Sequence, residues 1–397
     1  MSKAGAKEVV IVGMARTPIG DFLGSLSSLS AVELANIAAK AAMERAGVKP
    51  EQIDEVTAGM VYKDGAKGNP ARQIQIAMGI PVKAAAVTVE QQCASSMRAL
   101  EVACNQIQLG KTKAALVCGL ESMSNIPYLL MKARTGYRMG PGQLEDGLFY
   151  DALVDVFSNQ HIGMTAERVA DLYKISREEQ DAMALMSQDR ASKAIEKGFF
   201  KEEIVPVEIK TRKGTVIVDR DEHPRATTME ALGALRPAFK KDGSVTAGNA
   251  SGINDGACAA VIMSAERAAE LGITPLVKIL STTSYGCAPE IMGIGPIYAI
   301  PQAIEEAGLK ASDIEYYEIN EAFAAQAAAC IKELKLDMAY VNGNGSGIAL
   351  GHPVGMTSLR LVISGYYEMK RRGVRYGCAS LCAGGGPAMA VVFERLS

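Results

Sequence analysis

The chain repeats itself. AMERAGVKPEQI (42–53) and AIEEAGLKASDI (303–314) agree at about half their positions across one constant offset. In each copy, small and apolar residues at three- and four-residue spacing predict a helix that stops at a glycine, Gly47 or Gly308. A strand follows in both, EVTAGMVY or IEYYEIN. Nearly the same offset sets Cys93 beside His352 and AALVCGLES (114–122) against YGCASLCAG (376–384). Duplication at this scale predicts two similar halves, each alternating strand and helix, and hence mostly parallel sheets covered by helices. A chain of 397 residues is long enough for more than one core.

Between the copies, the stretch from about Ser122 to Ser251 matches neither and holds most of the Gly, Pro and charge interruptions, so it is expected to form an inserted loop domain. The expected division is residues 1–121 with 252–273 for the first half, 122–251 for the insertion and 274–397 for the second half. Inside the insertion, Ser176 followed by Glu179 predicts a capping box and a helix ending at Gly198. Its apolar residues Met183, Leu185, Met186 and Ile195 read as core packing.

With 42 basic against 44 acidic residues and no run of one sign, neither nucleic acid nor a lipid surface is an expected partner. The first apolar stretch, broken by Gly13, is too short for a signal peptide or membrane anchor, and a cytoplasmic location is expected. Eight scattered cysteines point to free thiols in a reducing compartment.

Cys93 in VEQQCASSMRAL lies between a predicted strand and a predicted helix, where unpaired N–H groups and the helix dipole favour thiolate. Three histidines are the available imidazole bases. His223, in the charged turn DEHPRA, is expected to be solvent-exposed; His161 falls in the insertion, where a structural or ligand-contacting role is expected. His352, flanked by glycine and proline in ALGHPVG, is the expected partner of Cys93. Cys382 precedes three glycines whose N–H groups suit an oxyanion, and Asn320 and Glu321 stand at a helix start. The glycines of YVNGNGSGIALG lack the acidic strand end of a dinucleotide site, and three histidines without paired spacing argue against zinc.

VEQQCASS, INEAFA, IALGHPVG and CAGGG occur in the order and approximate spacing of the thiolase family, which the chain resembles along its whole length; ARTPIG, QHIGMTAE and GNASGINDGA strengthen the likeness. The resemblance implies a five-layered αβαβα sandwich of two duplicated halves with an inserted loop domain. It further implies an acetyl-CoA acetyltransferase that joins two acetyl-CoA into acetoacetyl-CoA and CoA, or a degradative 3-oxoacyl-CoA thiolase for longer chains. A catalytically silent acyl-CoA-binding protein is a more distant alternative. Carried over residue by residue, Cys93 is the acyl carrier, His352 its base and Cys382 the second acid/base. Asn320 and His352 serve one oxyanion hole; the N–H groups of Cys93 and Gly384 serve the other. Ser251, His161 and Arg225 are implied coenzyme A contacts, and Leu148, Met292 and Phe323 line the acyl pocket. The resemblance implies no metal and no resident cofactor, and a homo-oligomer, a tetramer through a loop near 125–147 or else a dimer. The chain departs from the usual pattern at Glu90, Ser96, Ser346, Gly347, Pro387 and Ala388. Ser96 stands where a glycine usually follows the nucleophile by three.

Overall fold

The computed structural model describes residues 6–397. The first half runs β1 (Val9–Arg16), α1 (Ala31–Ala46), β2 (Glu55–Gly59), α2 (Pro70–Ala77), β3 (Ala85–Val89), α3 (Ser95–Gln108) and β4 (Ala114–Ser122). After an excursion that includes α4 (Gly163–Tyr173) and α5 (Arg177–Glu196), the chain returns as β5 (Asn254–Ser264). The second half runs β6 (Val277–Gly286), α6 (Gly295–Glu306), β7 (Tyr316–Ile319), α7 (Ala324–Leu334), α8 (Val354–Arg372), β8 (Tyr376–Cys382) and β9 (Pro387–Arg395).

The repeat seen in the sequence is a repeat in space. α1 ends at Gly47 with φ of 63°, and Gly308, just past α6, has φ of 73°, the left-handed conformation that glycine adopts without a Cβ penalty. The strand order β7-β8-β9-β6-β1-β5-β4-β2-β3 reads the same from either end as far as the outermost strand. Only β3 lacks a full counterpart; a lone parallel bridge, Tyr317 to Val341, stands in its place. The halves meet where β1 pairs with β6 through Val9, Val10 and Ile11, so hydrogen bonds run unbroken through one sheet of ten strands, the tenth being the short strand Gly20–Asp21 on β5.

Most pairings in that sheet are antiparallel, contrary to the parallel sheets expected from strand-helix alternation. Only β2 with β3, β2 with β4 and β7 with β8 run parallel. Two connections account for this. The long excursion brings β5 back beside β4 in the opposite direction, and a glycine turn folds β9 directly onto β8.

Five layers result: α1 lies on the outer face of β1, β4 and β5, and α6 on the outer face of β6 and β9. Between the two halves of the sheet, α3 and α8 pack against each other and bury apolar side chains such as Leu100, Ala103, Leu359 and Val362 completely. The capping box at Ser176 forms, with Glu179 reaching back, and α5 stops before Gly198. The excursion is pinned to the first half by charge. Arg16 on β1, fully buried, donates to both carboxylate oxygens of Asp221, at 2.7 and 2.9 Å, and to Glu203 at 2.8 Å. No helix among the described residues is long and apolar enough to cross a membrane.

Candidate active site

A strand that must turn sharply into a helix exposes one residue at the bend. Here the bend is Gln92, a non-glycine residue at φ of 48°, a conformation that costs about 1 kcal/mol or more and therefore has to be held by its neighbours. The hydroxyl of Ser95 holds it, donating to Gln92 O at 2.6 Å and accepting from Gln91 N–H at 2.9 Å. Cys93 follows, two residues before α3 begins. Its sulfur accepts from the backbone N–H of Gly384, in the turn between β8 and β9.

The expected stabilised thiolate is not what this environment favours. Burial pushes the Cys93 thiol up to about 12, outweighing the backbone N–H groups of Gly384 and of Cys93 itself. Cys382, at the end of β8, is raised well above the ordinary thiol range by burial and by the neighbouring Cys93. His352 is held down to about 3 by burial and by the positive charge of Arg360. The resting groups are a neutral thiol and a neutral imidazole.

The tautomer of that imidazole follows from counting hydrogens. Thr357 Oγ1 lies 2.9 Å from Pro353 O and 2.6 Å from His352 Nδ1; with its single hydrogen on that carbonyl it accepts from Nδ1–H. In that arrangement Nδ1 carries the proton and Nε2 keeps its lone pair for chemistry. Gly351, at φ of 97°, bends the chain into His352, whose backbone N–H donates to Asn254 Oδ1 at 2.9 Å. Asn320, at the end of β7, places its Nδ2 at 3.4 Å from Nε2, while its Oδ1 is a buried acceptor with no protein partner. Glu121 adds a brace, accepting from the N–H groups of Val61, Tyr62 and Gly355 and so tying the start of α8 to the end of β2.

Cys93, His352 and Cys382 line one cavity of about 360 Å³. Its wall is largely apolar, with Met292 and Phe323 packed beside Cys382; Ser251, His161 and the exposed Arg225 also line it. The ring of His161 stacks on Phe239 with centroids 4.5 Å apart. Of the residues expected in the site, Leu148 alone among the pocket set lies off this cavity. It is buried in the central core, its carbonyl accepting from Tyr62 Oη at 2.9 Å.

His223 also departs from expectation. It is buried rather than exposed: its Nδ1 hydrogen-bonds Asp21 at 2.6 Å and its ring lines the cavity. The cause is the pairing of Gly20 and Asp21 with Asp255 and Asn254, which no local pattern announces. No local pattern marks Thr357, Asn254 or Glu121 either; the five-residue spacing from His352 to Thr357 is the one signal the sequence offers.

Residues 9–266 match the family described as Thiolase, N-terminal domain, and residues 273–395 match Thiolase, C-terminal domain. The chain is 48% identical over 394 residues to an acetyl-CoA acetyltransferase of Syntrophomonas wolfei, covering 98% of this chain and 100% of that protein. It is likewise 48% identical over 393 residues to an acetyl-CoA acetyltransferase of Escherichia coli, covering 98% and 100%. Among solved structures, the Syntrophomonas wolfei acetyl-CoA acetyltransferase superposes with a TM-score of 0.97 at 51% identity, covering 98% of this chain and 100% of that one. Human mitochondrial 3-ketoacyl-CoA thiolase superposes with a TM-score of 0.95 at 40% identity, covering 98% and 99%.

Proposed function

The chain belongs to the thiolase family, and from that premise we propose that it is an acetyl-CoA C-acetyltransferase, joining two acetyl-CoA into acetoacetyl-CoA and CoA through an acetyl-cysteine, and running in reverse. The observation that carries the reading is the single cavity lined by two thiols and an imidazole contributed by both halves of the chain. In the first stage Cys93 Sγ attacks the thioester carbonyl and its proton passes to His352 Nε2. The N–H groups of Cys93 and Gly384 accept the charge of the tetrahedral adduct. The adduct collapses, and the departing CoA sulfur takes the proton of Cys382.

Acetyl-Cys93, imidazolium and the Cys382 thiolate are left. In the second stage Cys382 removes a methyl proton from the next acetyl-CoA. Enolate charge then falls on a thioester oxygen facing His352 Nε2–H, with Asn320 supporting that oxygen through a water. The carbanion attacks the acetyl group on Cys93, carbon–carbon bond formation expels the sulfur, and His352 returns its proton. Every proton is accounted for, and the sequence of steps calls for no metal or resident cofactor.

The apolar wall suits a pantetheine arm, with Ser251, His161 and the buried His223 along it and Arg225 positioned for a phosphate at the mouth. Met292 and Phe323 bound the acyl end; Leu148 acts on that end from behind, through the core it shares with Cys93. The division into two halves with residues 122–251 inserted belongs to the same reading, as does a cytoplasmic location in fatty acid metabolism. A homotetramer is supported by the exposed apolar side chains Leu130, Met131 and Met139 in the loop near 125–147.

Mass spectrometry after mixing with acetyl-CoA tests the scheme. One acetyl group should appear on Cys93; Cys93→Ser should abolish it, while Cys382→Ser should keep it and lose condensation. An unmodified Cys93 would defeat the covalent route. Thiolysis rates across acyl lengths distinguish the longer-chain thiolase, for which a C10 substrate would far outpace acetoacetyl-CoA.

A further inference from the structure

The two helices that position the reacting groups meet at a polar point. Ser96 on α3 and Ser358 on α8 are both fully buried, and their hydroxyl oxygens lie 2.8 Å apart. Ser96 Oγ accepts from the backbone N–H of Leu359 at 3.0 Å; Ser358 Oγ accepts from the backbone N–H of Met97 at 2.9 Å. Each serine thus satisfies the N–H that follows its counterpart. Ser96 Oγ also stands 3.2 Å from the carbonyl of Met356, which can only accept. Ser96 therefore gives its hydrogen to Met356 O and Ser358 gives its hydrogen to Ser96. No donor is left over, and both lone pairs of Ser96 are used.

There is no slack around this clasp. A Cβ on Gly119 would come 2.7 Å from Ser96 Cβ and 3.0 Å from Gly355 O, and one on Gly59 would come 2.2 Å from Ser96 N. Sheet and helices are in direct backbone contact there. Cys93 lies three residues before Ser96, and Thr357, which fixes the tautomer of His352, immediately precedes Ser358. A slip of one helix along the other would separate the sulfur from Nε2.

We propose that Ser96 and Ser358 are positioning residues for acyl transfer: their reciprocal hydrogen bonds set the register between the nucleophile's helix and the base's helix. The proposal rests on Cys93 as nucleophile and His352 as base. It also explains how this chain accommodates a side chain where thiolases usually carry glycine, since the added hydroxyl meets a partner placed for it.

The test is the rate of Cys93 acetylation by acetyl-CoA, followed by rapid quench and mass spectrometry well below the unfolding temperature, in Ser96→Ala, Ser358→Ala and the double variant. Rates are normalised to the final adduct stoichiometry, so misfolded molecules drop out. Each single variant should acetylate about tenfold or more slowly, with half-saturating acetyl-CoA unchanged within about twofold. The double variant should be no slower than the slower single one, because a clasp already broken has nothing further to lose. Ser96→Gly and Ser358→Gly are measured alongside, so that a folding failure in one series leaves the other to decide. Wild-type acetylation rates in the single variants, whatever their thermal stability, would overturn the proposal. So would losses that multiply in the double variant, or a change confined to half-saturation. An unmodified Cys93 in the wild type would instead sink the catalytic reading on which it rests.

Discussion

Replacing Thr357 by valine keeps the shape of the side chain and removes one oxygen. That oxygen is the acceptor for His352 Nδ1–H at 2.6 Å, and the imidazole is buried. Two responses are open to the ring. It can leave Nδ1–H unsatisfied, at a cost of about 1–3 kcal/mol, or it can move the proton to Nε2 and lose the lone pair that receives the Cys93 proton. In the first case the imidazolium formed on proton transfer also lacks its acceptor, and in the second the reactive tautomer becomes the minor form; each raises the barrier by about that cost. At 1.36 kcal/mol for each factor of ten, acetylation of Cys93 should slow by about 5–150-fold. Binding should change little, because Thr357 does not line the cavity. Rapid-quench acetylation read by mass spectrometry gives the rate constant, with half-saturating acetyl-CoA from the same series. Thr357→Ser, which retains the oxygen, should restore most of the rate. Acetylation within about threefold of wild type in the valine variant, or no recovery with serine, would refute the tautomer argument.

His352→Ala tests the resting protonation. With the thiol up at about 12 and the imidazole down at about 3, the wild-type pair stays neutral between those limits, so acetylation should be flat across the neutral range. Without the base, the variant depends on the small fraction of Cys93 already ionised. Its rate should be about 10²–10⁴-fold lower and rise tenfold per pH unit; a flat profile in the variant would contradict this. In the glycine turn, a Cβ on Gly384 would meet nothing closer than 3.5 Å and the donor N–H survives, so Gly384→Ala should keep acetyltransferase activity within about fivefold. Gly386, at φ of 104° with Cys287 O only 2.1 Å from a built Cβ, should tolerate no such change, losing about 100-fold or more in the same assay. Arg16→Met leaves Asp221 and Glu203 buried without their cation and should cost about 3–5 kcal/mol in urea unfolding.

What could be read from the sequence was what local pattern or duplication encodes. Ser176 with Glu179 announced a helix start because a capping box is made within four residues, and Gly47 and Gly308 announced helix ends because the left-handed turn is local. Cys93 and His352 could be paired because the duplication carries one onto the other. His223 was misplaced because its partner, Asp21, is 202 residues away and is delivered by strand pairing. Strand direction was misjudged for a related reason: alternation of elements says nothing about where a long excursion rejoins the sheet. For Cys93 the helix start that favours thiolate is local and legible, whereas the burial that raises its thiol is not. Ser96, read from sequence as a departure beside the nucleophile, acquires its meaning only from Ser358 across the helix crossing.

Enclosure of the reacting sulfur bears on the lifetime of what it carries. An acyl group carried by Cys93, as proposed, would lie in a largely apolar cavity, a setting that limits attack of water on its carbonyl. A thiol made acidic by exposure would have offered that carbonyl to hydrolysis between the arrival of one substrate and the next. The same seclusion that withholds charge from the free sulfur lets its ester wait for carbon.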